Sequence, residues 1–127
     1  MGAVKAKSLS EFPKPEVKFI KSPKYSPRNN RKINTIVLHY TVSHTAESAI
    51  TTLTKPVNKG GRVASAHFII DKDGSCYQLV LEKDKAWHAP KVNENSIGIE
   101  HVAMPGEALT PEQQEASVAL CKYLLAK

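Results

Sequence analysis

Two side chains are polar where their neighbours are not. His39 sits near the end of Ile-Asn-Thr-Ile-Val-Leu-His-Tyr-Thr (33–41), and Glu100 lies inside Ser-Ile-Gly-Ile-Glu-His-Val (96–102). Both runs are short, rich in β-branched residues, and read as strands. A carboxylate in the middle of a core strand is costly unless it is paired or close to a cation. By alternation Ser96, Gly98, Glu100 and Val102 share one face, and Gly98 clears space above the sheet next to the carboxylate. On its own His39 also reads as a hydrogen-bonded core histidine. A metal ligand on one strand and a general base on its neighbour account for both exceptions together.

The elements that must position this pair follow from periodicity and turn chemistry. The run 33–40 reads as a strand buried on both faces at the centre of a sheet. His39 then stands at its C-terminal end, where open α/β sheets hold their ligands. Ala46, Ala49, Ile50 and Leu53 mark one face of a helix that Ser43 or Thr45 can cap and Pro56 ends. His44 falls in the polar turn before this helix and is not assigned to the same site. Residues 65–71 and 75–81 form a hairpin around Asp71-Lys-Asp-Gly74, and His67 reads as a buried histidine bonded to neighbouring backbone. The connection 82–95 is long for a compact domain and carries the only tryptophan, Trp87, next to His88. Such a pair suits a sugar or peptide platform, or a tryptophan that plugs the sheet edge. Thr110-Pro-Glu-Gln113 opens a last helix with a capping box, its apolar face being Ala116, Ala119, Leu120, Tyr123 and Leu124. The order strand, helix, hairpin, strand, helix gives an α/β fold with a mixed central β-sheet flanked by helices.

The 127 residues suit one domain, and the formal charge of +6 is unevenly placed. Residues 1–32 hold nine Lys or Arg against Glu11 and Glu16, or +7, which leaves −1 for the rest. The chain therefore divides into a basic, Pro-rich N-terminal arm (1–32) and a folded domain (33–127). The arm is expected to be extended and partly mobile, with a short strand or clip at 17–20 as its structured piece. Such an arm can track an anionic polymer, but the body has neither a basic stripe nor interleaved aromatics, so specific nucleic-acid binding ranks low. Cys76 and Cys121 suggest buried thiols rather than a disulfide or zinc framework. No apolar run is long enough for a membrane span, and the first twelve residues lack the apolar core of a secretory signal. The expected location is cytoplasmic, or the cell wall reached without a signal peptide. Oligomeric state is not legible.

Four motifs in order carry a family resemblance: Ile36-Val-Leu-His-Tyr-Thr41, Ser65-Ala-His-Phe-Ile-Ile-Asp-Lys-Asp-Gly74, Ala86-Trp-His-Ala89 and Asn95-Ser-Ile-Gly-Ile-Glu100. In order and spacing the chain resembles type 2 N-acetylmuramoyl-L-alanine amidases. These include AmpD-like amidases, phage endolysin amidases and peptidoglycan-recognition proteins. The resemblance implies a zinc enzyme that cuts the amide between N-acetylmuramic acid and L-alanine in peptidoglycan or muropeptides. It implies His39 as the first zinc ligand, Glu100 as general base, and Tyr40, Trp87, His88 and Asn95 as groove residues. Ala66 stands where some phage members have Tyr, which implies the Glu-based arrangement. The family's remaining ligands, a His and then an Asp or Cys, come from a segment after the last helix and are expected beyond Lys127. The domain is therefore expected to be C-terminally incomplete, through cleavage or truncation, with zinc weakly held or absent. The alternative function is a metal-free muropeptide-binding module.

Overall fold

The computed structural model describes residues 13–127. Among these, seven strands and two helices follow in order: β1 (Lys18–Phe19), β2 (Tyr25–Ser26), β3 (Thr35–Tyr40), α1 (Ala46–Thr54), β4 (Phe68–Ile70), β5 (Cys76–Gln78), β6 (Lys85–Ala86), β7 (Ser96–His101) and α2 (Pro111–Leu125). Five of the strands form a mixed sheet in the order β1-β5-β4-β7-β3, while β2 and β6 form a separate antiparallel pair. The β4–β5 hairpin is antiparallel, and β3 and β4 both run parallel to β7. Gly74 supplies the turn's positive φ of 88°, which only glycine adopts without strain. No helix among the described residues is long and apolar enough to cross a membrane.

Each sheet face has its own core, because alternate residues of a strand point to opposite sides. Ala46, Ala49 and Leu53 of α1 pack with Ile69, Leu79, Val80 and Ala86 on one face. Phe68, Ile70, Ile97 and Ile99 pack with Leu120 of α2 on the other. Thr45 caps α1 by accepting from the Ser48 amide, and Thr110 and Gln113 form the expected capping box on α2. The inner face of α2 differs from the predicted stripe. Ala119 is exposed, while Gln113, Ser117 and Leu120 point inward. Gln113 reaches the sheet as a polar spacer, its Nε2 donating to the carbonyls of Ile70 (3.2 Å) and Val102 (2.9 Å).

The position of β3 corrects the sequence reading. It pairs with β7 alone among the described strands, at the sheet edge, and Leu38 and Tyr40 are 57% and 53% exposed. An apolar run records that a strand can be buried but not how many neighbours it has. Beside β3 lies a groove of about 1120 Å³ whose lining includes Ile36, Leu38, Ile97, Leu124 and Leu125.

The Pro-rich lead-in is anchored from residue 18 onward. Strand β1 pairs parallel with β5, as a clip at 17–20 would, and β2 pairs with β6. Ser22, Lys24 and Arg28 are buried. Ser22 Oγ donates to the Leu53 carbonyl at 2.7 Å, at the C-terminal end of α1. Lys24 Nζ donates to the carbonyls of Thr52 (3.0 Å) and Arg62 (2.8 Å), and burial lowers its pKa, with Arg62 adding to the effect. The basic residues Lys5 and Lys7 lie outside the described residues.

Candidate active site

Strands β3 and β7 place His39 and Glu100 side by side. The two are direct register partners in a parallel pair, so their side chains share a sheet face at its C-terminal end. Glu100 Oε2 is buried and has no hydrogen-bond partner among the described residues. Burial raises the Glu100 pKa to about 7, because no cation or donor there offsets the loss of water. A buried carboxyl oxygen without a partner is rare in a folded protein.

The space cleared by Gly98 holds the imidazole of His88. A Cβ on Gly98 would lie 2.6 Å from that ring, so no larger residue fits there. His88 Nδ1 lies 2.9 Å from His39 Nε2, and His88 Nε2 lies 3.0 Å from Ser96 Oγ. Burial lowers the pKa of both histidines, that of His88 to about 4, with each other or His101 adding to it. Both rings are therefore neutral at pH 7, and one N–H between them bridges the pair. His101, on the opposite face, fixes the strand end from behind. Its Nδ1 donates to the His39 carbonyl at 2.9 Å, and its Nε2 pairs with Ser117 Oγ of α2 at 2.9 Å.

Beside Glu100 opens a cleft of about 350 Å³, whose lining includes Tyr40, Thr41, Ser43, Thr52 and Arg62. Its rim carries a backbone outlier: Val42 has φ of 53°, a left-handed conformation that a β-branched residue rarely holds. Strain of this kind clusters where a surrounding structure over-determines a loop, as at ligand clefts.

The other expected residues are placed differently. Trp87 turns away from the cleft: its Nε1 donates to Ser26 Oγ at 3.0 Å. It is held by the lead-in, closer to the edge-plug reading than to a platform. Asn95 precedes Ser96 at the opposite end of β7 from Glu100, where its Nδ2 donates to Asn34 Oδ1 at 2.7 Å. His67 is fully buried, as expected, with Nδ1 accepting from the Gly98 amide (3.1 Å) and Nε2 donating to the Asp84 carbonyl (2.8 Å). Its pKa is lowered to about 3, chiefly by burial. His44 is exposed in the turn before α1.

Sequence reasoning missed Ser96 and Arg62. Ser96 was legible as the third member of the Gly98–Glu100 face, whereas nothing local marks Arg62 as a cleft residue. As for a metal, catalytic zinc takes three protein ligands. Among the described residues no group of three His, Cys, Asp or Glu converges to hold one. His39 brings a single imidazole whose Nε2 is engaged by His88. These residues do not by themselves fit a zinc centre.

Comparisons with known proteins converge on one family. The sequence profile of the N-acetylmuramoyl-L-alanine amidases matches residues 29–127. N-acetylmuramoyl-L-alanine amidase A of Achromobacter lyticus is 39% identical over 66 residues, covering 50% of this chain and 37% of that enzyme. The matched part is thus well under two thirds of that relative. Among solved structures, AmpD superposes with a TM-score of 0.77 at 23% identity, covering 87% of this chain and 74% of its own. The endolysin amidase LysCS of Clostridium intestinale gives a TM-score of 0.70 at 28% identity, covering 90% and 76%. With the profile spanning most of its length and the fold shared with solved amidases, the chain belongs to the N-acetylmuramoyl-L-alanine amidase family.

Proposed function

We propose that this chain hydrolyses the amide between N-acetylmuramic acid and L-alanine, in peptidoglycan or in muropeptides released from it. The observation that carries the reading is Glu100: a carboxyl with a buried, unpartnered oxygen, next to His39 and open to a cleft. With its pKa raised to about 7, Glu100 is populated in both protonation states near neutrality. It can then take a proton from an attacking water and return it to the departing amine, the two transfers that amide hydrolysis requires. The imidazoles of His39 and His88 lie on the same sheet face as Glu100, His39 as its direct register partner. Family membership supports zinc as the group that would activate the water, but the described residues supply too few donors to hold it.

Glu100→Gln tests the reading. Incubation with a purified muropeptide, followed by mass spectrometry, should yield free peptide with the wild type and none with the variant, while calorimetric affinity stays within a few-fold. Full hydrolysis by Glu100→Gln would remove the role given to Glu100. A second reading, a muropeptide-binding module without turnover, is favoured by the His39–His88 contact, which engages one of the two nitrogens His39 could offer a metal. Tight muropeptide binding by a wild type that releases no peptide, with or without zinc, would select it.

A further inference from the structure

The connection 82–95, which runs through β6 to β7, brings His88 to the site, yet much of what fixes it comes from the lead-in. Arg28, 6% exposed, lies between the two ends of this connection. Its Nε donates to the Glu82 carbonyl at 3.0 Å, where the connection begins. Its Nη1 donates to the carbonyls of Asn93 (3.2 Å) and Glu94 (3.1 Å), where it ends. The Nη2 lies 3.0 Å from His67 Nε2, a packing contact and not a hydrogen bond, since that nitrogen already donates to the Asp84 carbonyl. One guanidinium therefore staples both ends of the loop and touches the histidine behind it.

Two short paths lead from this staple to the His88 ring. Asn93, held through its carbonyl, uses its side-chain oxygen to accept from the amides of His88 (3.0 Å) and Ala89 (2.7 Å). His67 accepts from the amide of Gly98, the residue on which the His88 ring rests. A third tie comes from the same stretch, since Ser26 Oγ holds the indole of Trp87 next door. We propose that Arg28 is a positioning residue for the active site, which sets the loop that places His88 against His39. The lead-in is then part of the catalytic scaffold and not merely a tether to an anionic surface. Lysine cannot take this role, because a single ammonium lacks the planar fork of donors that spans acceptors on both sides.

The experiment uses the full chain with Arg28→Lys, the milder Ser26→Ala, and Lys18→Ala as a charge control on an exposed residue. Hydrogen exchange is followed peptide by peptide. Arg28→Lys should speed exchange across residues 85–95 by at least about tenfold, with α2 and β4 unchanged. Ser26→Ala should do the same more weakly around Trp87, and Lys18→Ala should have no effect. The kinetic arm rests on the amidase reading: kcat should fall by up to about a hundredfold with KM nearly constant, as expected when a group at the reacting centre is displaced and substrate affinity is untouched. Millimolar guanidinium added to Arg28→Ala should recover part of that loss and of the loop protection. Unchanged exchange over 85–95 in Arg28→Lys, or a rise spread evenly over the whole chain, overturns the proposal. A wild type without turnover would sink the amidase reading alone, since exchange still decides what Arg28 does.

Discussion

The raised pKa of Glu100 makes a prediction about stability that does not depend on substrate. Its carboxyl titrates near 7 in the folded chain against 4.5 for the unperturbed group, because burial penalises the charge. Between those values the folded chain keeps a proton that the unfolded chain has released. Stability is thus unaffected by this group below about pH 4.5 and falls as pH rises towards 7. The full penalty is the pKa difference, 7 − 4.5 = 2.5, times ~1.36 kcal/mol, or about 3 kcal/mol. Glu100→Gln removes the titration and keeps the shape. Urea unfolding of both proteins from pH 4 to 8.5, with a chelator present, should show a stability difference that grows across this window in favour of the variant, to about 3 kcal/mol at pH 8. The amide adds a constant offset, so the slope is the readout, and groups common to both proteins cancel. A flat difference would refute the claim that Glu100 sits desolvated and uncompensated.

Gly98→Ala should cost about 1–3 kcal/mol in urea unfolding and break the His39–His88 contact in imidazole NMR spectra, because the new methyl falls on the His88 ring. Val42→Asn should stabilise by about 1 kcal/mol, since Asn tolerates left-handed backbone and Val42 is 56% exposed with little packing to lose. Gln113→Ala should lower stability by about 1–3 kcal/mol, as it leaves the Val102 carbonyl without its donor inside the core, while the Ile70 carbonyl keeps its bond from the Val102 amide. Equimolar zinc should shift the unfolding free energy by less than about 1 kcal/mol. A larger shift, abolished in His39→Ala, would show that donors converge on His39 after all.

What the sequence disclosed was whatever depends on a residue and its near neighbours. His39 and Glu100 were conspicuous as polar exceptions in apolar strands, Gly98 as a gap beside one of them, and the hairpin and both helix caps as turn chemistry. What it hid depends on partners far along the chain. The edge position of β3 follows from which strands pair, and its composition is that of an interior strand. Lys24 and Arg28 read as solvated charges in a basic arm, because the carbonyls that bury them lie 28 to 66 residues away. The inward turn of Gln113 was hidden for a similar reason: it answers the Val102 carbonyl on a neighbouring strand end, which the sequence of the helix does not show.

The stapling of the lead-in bears on how the chain assembles. Arg28 meets Glu94 across 66 residues, and the His39 carbonyl meets His101 across 62. Closing such long loops costs entropy before any contact repays it, so these are late events on the folding route. A nascent chain exposes its first strands well before the segment that will clasp them has been synthesised. The lead-in emerges before the body, and it can be clasped only once residues 82–94 have followed it.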